Sequence, residues 1–189
     1  SGKKSTKIRL SKDVVPLVYN IQLRPDLENF TFRGIETITL SLLKDTKSIT
    51  LHSKEVEIET ANVVINKSKI FGTISYDTKS ETATILFPRI IKKGKTKITI
   101  VFTGILNDKM RGFYRSAYNV SGKEFHMATT QFEATDARRA FPCFDEPAQK
   151  ATFHVSLIVP KNKTAISNTL PVSVKEHEPG YHLIEFAPT

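Results

Sequence analysis

The sequence has one cysteine, Cys143, no tryptophan and no long apolar run. A single cysteine cannot form an internal disulfide, which fits a reducing compartment but does not require one. No stretch approaches the roughly 18 consecutive apolar residues that a membrane-spanning helix needs. Lysines near the start are followed by no apolar segment. We therefore expect neither a spanning helix nor a signal peptide in these residues, and no membrane partner.

Several catalytic motifs are also missing. The sequence contains no Gly-rich phosphate loop and no Gly-x-Ser-x-Gly elbow. A zincin site needs His-Glu-x-x-His on a helix, so that two imidazoles on one face bind one metal ion. The nearest approach begins at His177, but Pro179 and Gly180 interrupt it and Tyr181 stands where the second ligand is needed. We therefore predict no catalytic residue and no metal ligand in this chain, and a structural buried thiol at Cys143.

Composition places the chain among ordinary globular domains. It has 189 residues, of which 39% are hydrophobic and 25% charged, which suits one soluble domain and excludes disordered or collagen-like classes. The formal net charge of +9 could suit a polyanion partner. However, the lysines are scattered over apparent strand ends and turns without interleaved aromatics. We therefore expect them to protect sheet edges, and we expect no nucleic-acid partner.

The dominant hydrophobic period is two, which predicts half-buried β-strands. Four sets of alternate residues each predict one buried face: Tyr19, Ile21 and Leu23; Ile38, Leu40 and Leu42; Ala83, Ile85 and Phe87; Ile98, Ile100 and Phe102. Turn residues separate them at 24–26, 44–45, 76–77, 88 and 93–94. Further strands are predicted at 153–159, around 165–168 and at 181–186. No segment shows sustained helical periodicity, so the prediction is an all-β fold with little helix.

One stretch, residues 133–147, departs from this alternation. It combines four acidic residues and two adjacent arginines with two phenylalanines and two prolines: Glu133, Asp136, Asp145, Glu146, Arg138 and Arg139 carry the charges. A plain solvated loop has no reason to mix charge and large apolar side chains so densely. Because buried charges have to be paired and hydrogen-bonded, the stretch predicts a partly buried ion-pair network.

The same region carries a family resemblance. Seven stretches of the chain closely resemble the gluzincin zinc aminopeptidases: residues 10–19, 30–34, 51–53, 112–116, 127–148, 150–153 and 166–168. That family includes aminopeptidase N, puromycin-sensitive aminopeptidase and fungal cytoplasmic aminopeptidases, and the chain looks closest to cytosolic and fungal members. The resemblance implies a large antiparallel β-sandwich or saddle-like sheet domain. It also implies that residues 8–189 form an N-terminal β-domain truncated before the zinc catalytic domain. The Ser-Gly start without Met predicts that residues 1–7 are a tag remnant or disordered lead-in.

The resemblance also implies site roles. Glu133 corresponds to the glutamate that pairs with the free α-ammonium of a peptide substrate, and Gln131 to the glutamine that helps line the first subsite. For the remaining charged residues the preferred interpretation is a structural network that braces this loop: Asp136, Arg138, Arg139, Asp145 and Glu146. Expected partners are peptides with a free N-terminus and the chain's own catalytic domain. Zinc belongs to the full-length enzyme, and the fragment is expected to hold none and to be inactive alone.

Three alternatives stay open. The chain could be a peptide-binding pseudo-enzyme or a docking β-domain without catalysis, and Glu133 could be one more member of the ion-pair network. Cytoplasmic localisation is favoured. The alternative is the secretory pathway or the cell exterior, because the chain has four N-x-[ST] sequons, which begin at Asn29, Asn66, Asn119 and Asn162.

Overall fold

The structure is a computed structural model, which describes residues 10–108, 112–131, 137–146, 150–161 and 171–188. Within these ranges the chain forms thirteen strands and a short 3-10 helix at Ala137–Arg139. The strands are β1 (Val14–Asp26), β2 (Thr31–Leu42), β3 (Thr46–His52), β4 (Val56–Ile65), β5 (Ser68–Phe71), β6 (Thr73–Asp77), β7 (Thr82–Ile91), β8 (Gly94–Ile105), β9 (Gly112–Val120), β10 (Lys123–Gln131), β11 (Thr152–Pro160), β12 (Pro171–Glu176) and β13 (Tyr181–Phe186). The predicted all-β class is confirmed. None of the described residues belongs to a helix long and apolar enough to cross a bilayer.

The strands form an eight-stranded sheet, a three-stranded sheet and a hairpin. The large sheet has the order β12-β13-β11-β1-β2-β8-β4-β5, and the smaller one has the order β3-β7-β6. Neighbouring strands are antiparallel except β1 and β11, which run parallel with Tyr19 opposite Phe153. Strands β9 and β10 pair with each other as a two-stranded sheet. The parallel pair brings the late strand β11 beside the first strand of the domain.

The hydrophobic core lies between the two larger sheets. All four predicted faces are buried, and their residues belong to one continuous cluster that includes Ile49 and Leu51 of β3. The alternation arises because successive side chains of a strand point to opposite faces of the sheet. One face of the eight-stranded sheet therefore packs against the three-stranded sheet, which is the layered arrangement of a sandwich.

Three predicted turns were wrong. Strand β6 continues to Asp77, so residues 76–77 belong to the strand and the turn follows them. Strand β1 continues through Pro25 to Asp26, and the chain turns afterwards, where Asp26 Oδ1 accepts hydrogen bonds from the amides of Glu28 and Asn29. Pro88 lies inside β7, at a place where the pairing with β3 is irregular. Proline cannot donate to a strand ladder, so an irregularity of this kind is where a strand tolerates it. The predicted strand around 165–168 lies outside the described residues.

Candidate functional site

Gln131 is the last residue of β10. Its backbone pairs with Gly112 of β9, the first residue of that strand. Residues 132–136, which include Glu133 and Asp136, lie outside the described residues. The described chain resumes at Ala137, so the structure gives the position of both flanks of the predicted amine-recognition loop.

The C-terminal flank, residues 137–146, is called here the anchored segment. It begins with a 3-10 turn in which the amides of Ala140 and Phe141 both donate to the Ala137 carbonyl, at 2.9 and 3.1 Å. The apolar side chains that follow, Ala140, Phe141, Cys143 and Phe144, are at most 4% exposed. The anchored segment is therefore part of the hydrophobic core and is not a surface loop.

The anchored segment is bonded to the end of β3. The His52 amide donates to the Cys143 carbonyl at 2.7 Å, and the Cys143 amide donates back to the His52 carbonyl at 2.9 Å. A third bond runs from the Asp145 amide to Nδ1 of the His52 ring, at 3.1 Å. The Lys54 amide also donates to the Arg138 carbonyl at 3.0 Å. One residue of β3, His52, thus makes three of the bonds that hold the segment.

The His52 ring is neutral in this arrangement. A nitrogen that accepts a backbone N–H carries no proton, so the ring proton lies on Nε2. His52 is buried, and this burial, followed by the nearby Arg138 charge, lowers its pKa below the usual 6.5. The carboxylates of Asp145, Glu146 and Glu81 act in the opposite direction.

Arg138 and Asp145 form the buried ion pair of the segment. Arg138 Nε donates to Asp145 Oδ2 at 2.9 Å, and Nη2 donates to the Asp145 carbonyl at 3.2 Å. The two side chains are only 9% and 15% exposed, so breaking one partner would leave the other charge with little water to replace it. This pair joins the first turn of the segment to its last residues and closes it into a compact unit.

The other two described charged residues of the predicted network, Arg139 and Glu146, have partners elsewhere. Arg139 Nη1 lies 2.8 Å from Oε1 of Glu55, the residue immediately before β4. Glu146 Oε1 accepts a hydrogen bond at 3.0 Å from the Leu10 amide. The structure therefore brings Arg138 and Asp145 together, while Arg139 and Glu146 connect the segment to separate parts of the domain. The bracing role expected of these residues stays a prediction.

Tyr19 supports the segment from the core side. Its hydroxyl oxygen accepts the Phe144 N–H at 2.9 Å, and burial raises the pKa of this phenol. The ring stacks on Phe153 of β11 at 4.5 Å, with an interplanar angle of 8°, and Phe141 packs beside it at 6.2 Å. Burial likewise raises the pKa of the Cys143 thiol, which makes it a poor nucleophile, as a structural cysteine would be.

Sequence reasoning did not identify the roles of His52, Tyr19 and Glu55. The only available signal was the resemblance at residues 51–53, which marked the position of His52 without indicating its partner. Within the described ranges, no group of three or more His, Cys, Asp or Glu side chains could hold a metal ion. An open cavity of about 1200 Å³ has Glu55 and Tyr76 in its wall, but none of its lining residues belongs to the anchored segment. Glu55 of this wall is the residue that pairs with Arg139 of the anchored segment.

Comparisons with known proteins agree with this picture. A family model described as the Peptidase M1 N-terminal domain matches residues 15–189. The chain is 45% identical over 161 residues to Aminopeptidase 2 of Candida albicans, covering 85% of this chain and 17% of that protein. It is 42% identical over 169 residues to the puromycin-sensitive aminopeptidase of Caenorhabditis elegans, covering 87% of this chain and 18% of that protein. It is 41% identical over 165 residues to Aminopeptidase M1 of Arabidopsis thaliana, covering 85% of this chain and 19% of that protein. The chain thus spans less than a fifth of the length of these relatives.

Proposed function

Because the chain belongs to the Peptidase M1 N-terminal domain family, we propose that it is the N-terminal domain of a zinc aminopeptidase and supplies the loop that recognises the substrate amine. Its substrates are peptides with a free N-terminus. Its partner in cis is the catalytic part of the same protein, from which residues 8–189 form a separate β-domain. The domain by itself hydrolyses nothing.

The zinc ion of such an enzyme would be held elsewhere. The described residues offer no group of side chains that fits it, and the relatives are more than five times longer than the matched region. We assign the metal, which would act on the scissile peptide bond, to that remaining length. The residues of this chain are proposed to bind and orient the substrate.

The anchored segment is the observation that carries the proposal. Glu133 is two residues from Gln131 and four from Ala137, and a chain spans at most about 3.6 Å per residue. The Glu133 backbone can therefore be at most about 7 Å from that of Gln131 and about 14 Å from that of Ala137. An aminopeptidase has to measure one residue from a free terminus, and a carboxylate held at a fixed position does so by a charge-assisted bond that an internal peptide bond cannot supply.

We assign the remaining predicted residues to the same role. Gln131, at the end of β10, is proposed to line the first subsite beside the amine. Arg138, Asp145, Arg139 and Glu146 are proposed to keep the loop in place through their contacts with each other, with Glu55 and with the Leu10 amide. Asp136 is proposed to belong to the same brace. Fixing a binding group in this way limits the freedom that is lost when the substrate binds.

The test is substitution of Glu133 in the full-length protein. Glu133→Ala and Glu133→Gln should lower kcat/KM for peptides with a free amine about 100-fold, since a charge-assisted hydrogen bond contributes up to about 3 kcal/mol. The zinc content should not change, because no ligand of the metal is altered. Glu28→Ala, at an exposed turn residue, is the control and should retain wild-type turnover. Wild-type kcat/KM in both Glu133 variants would overturn the proposal.

We further propose that the protein is cytoplasmic. The single cysteine is buried and unpaired, as expected for a chain that does not rely on oxidation. The sequon residues Asn29, Asn66 and Asn119 are exposed, which leaves the secretory pathway as the alternative, and Asn162 lies outside the described residues.

A further inference from the structure

The anchored segment depends on the protonation state of one ring. We infer that His52 is a positioning residue for the amine-recognition loop: its neutral imidazole holds the anchored segment at Asp145, and its protonation releases that end. The inference rests on the proposed function for its effect on substrate binding. Its structural part, the coupling of His52 to Asp145, stands on the described contacts alone.

The bond concerned is the one between two groups that are remote in sequence. The Asp145 amide donates to His52 Nδ1 at 3.1 Å across a sequence separation of 93 residues. The backbone of His52 is held independently of the ring, by its two bonds with Cys143. The ring nitrogen is therefore presented to Asp145 by a hydrogen-bonded strand end, and the bond needs a free lone pair on Nδ1.

Protonation removes that lone pair. An imidazolium has an N–H at both nitrogens, so Nδ1–H would then point at the Asp145 N–H and two donors would face each other. The added charge would also lie in a buried place beside the Arg138 guanidinium of the 3-10 turn. Three carboxylates face the ring and favour its charge: Asp145 and Glu146 of the segment, and Glu81 of the turn before β7. Glu81 is itself paired with Lys54 at 2.7 Å.

Loss of the bond between His52 and Asp145 would also weaken the contact between Asp145 and Arg138. Asp145 binds the Arg138 guanidinium through both its carboxylate and its carbonyl, so a displaced Asp145 backbone weakens the contact that closes the segment. Arg138 follows Ala137 directly, and Glu133 is four residues upstream of Ala137. Acid is therefore expected to weaken amine binding and so to raise KM. The neutral ring predominates above the pH at which His52 titrates. The bond between His52 and Asp145 is therefore formed at neutral pH and is lost on acidification.

Two substitutions distinguish the loss of the hydrogen-bond acceptor at position 52 from the protonation of the His52 ring. In His52→Asn the amide oxygen takes the place of Nδ1, at the same number of bonds from the backbone, and accepts a hydrogen bond at every pH. In His52→Phe the ring volume is kept but the acceptor is lost. His154→Asn, on an exposed residue of β11, is the matched control.

The first measurement is amide hydrogen exchange at Asp145 by NMR, on the 189-residue chain between pH 5 and pH 8. In the wild type the protection factor of Asp145 should fall about tenfold as the His52 ring titrates, which is the usual effect of losing one hydrogen bond. His154→Asn should behave as the wild type. His52→Asn should keep high protection throughout, and His52→Phe should show low protection at every pH. Constant protection in the wild type while His52 titrates would overturn the inference, and so would a wild-type profile in His52→Asn.

The second measurement is the pH profile of KM in the full-length protein. KM for a peptide with a free amine should rise on acidification in the wild type, and this rise should be absent in His52→Asn. An identical acid limb in both proteins would overturn the link from His52 to the amine site. If the full-length protein hydrolysed no peptide at all, the proposed function would fail, whereas the exchange at Asp145 would still decide whether His52 holds the segment.

Discussion

A buried glutamate in the centre of the large sheet should make the stability of this domain depend on pH. Glu36 lies on the core face of β2, opposite Ile21 of β1 and Ile100 of β8, and is 1% exposed. Neither of its carboxyl oxygens has a hydrogen-bond partner among the residues that the structure describes. Tyr19 and Cys143 lie close enough for a charge on Glu36 to raise the pKa of each. An ionised carboxylate in such a place would be strongly unfavourable.

Burial therefore raises the pKa of Glu36 well above the usual 4.5. The unfolded chain releases this proton at a lower pH than the folded chain does. The folded state consequently has its full stability below about pH 4.5 and loses it as the pH rises towards the folded pKa. Between those two pKa values the free energy of unfolding falls by about 1.4 kcal/mol per pH unit on account of this one group.

The perturbation is Glu36→Gln, which keeps the size and the polar atoms of the side chain but cannot ionise. The free energy of unfolding is measured by urea titration between pH 4 and pH 8, with circular dichroism as the probe because the chain has no tryptophan. Relative to the wild type, the free energy of unfolding of Glu36→Gln should increase by about 1.4 kcal/mol per pH unit above pH 4.5, up to the pKa of Glu36 in the folded chain. Any contribution of His52 is common to both proteins and cancels in the difference.

Two further variants complete the test. Glu57→Gln, on the exposed face of β4, is the control and should differ from the wild type by no more than about 0.5 kcal/mol at any pH. Glu36→Leu also removes the unpartnered polar atoms, and should be more stable than Glu36→Gln by about 1–3 kcal/mol at every pH. A difference between Glu36→Gln and the wild type that does not change with pH would refute the reasoning, because the carboxyl would then titrate alike in the folded and unfolded chains.

Two other predictions concern close packing. A Cβ at Gly34 would lie 2.2 Å from Cζ of Phe102, and one at Gly104 would lie 2.4 Å from Cζ of Phe32. Gly34→Ala should therefore lower the free energy of unfolding by about 1–3 kcal/mol. An unchanged midpoint of urea unfolding would contradict this prediction. Cys143 is 2% exposed with a raised thiol pKa, so iodoacetamide should alkylate it at least about 100-fold more slowly in the native chain than in urea. Equal rates, followed by mass spectrometry, would show that the thiol is accessible.

The strands and their buried faces could be predicted from the sequence because period two is a local property. Tyr19, Ile21 and Leu23 alternate with more polar residues, and such alternation occurs wherever one side of a strand faces the core. Glu36 stands two residues before Ile38 in the same register, and its burial could have been inferred from that position. The turns were less reliable, since proline at Pro25 and Pro88 is compatible with a strand edge or an irregular pairing as well as with a turn.

The contacts of the candidate site could not be predicted in the same way. His52 and Asp145 are 93 residues apart, Tyr19 and Phe144 are 125 apart, and Leu10 and Glu146 are 136 apart. Nothing in a local pattern specifies which remote residue a polar side chain meets, because that depends on the order of the strands in the sheet. The density of charge in residues 133–147 predicted a network, but not that Arg139 pairs with Glu55.

By itself, then, the sequence determined the all-β class, the core-facing residues and the resemblance to the aminopeptidases, since periodicity and motif are properties of neighbouring residues. Only the tertiary structure decided that β1 lies parallel to β11, that residues 137–146 are held in the core, and that His52 is a neutral acceptor beside a buried arginine. The physical reason is that desolvation and hydrogen bonding depend on what surrounds a group in three dimensions. A side chain's charge state is set by that surrounding, and not by its place in the chain.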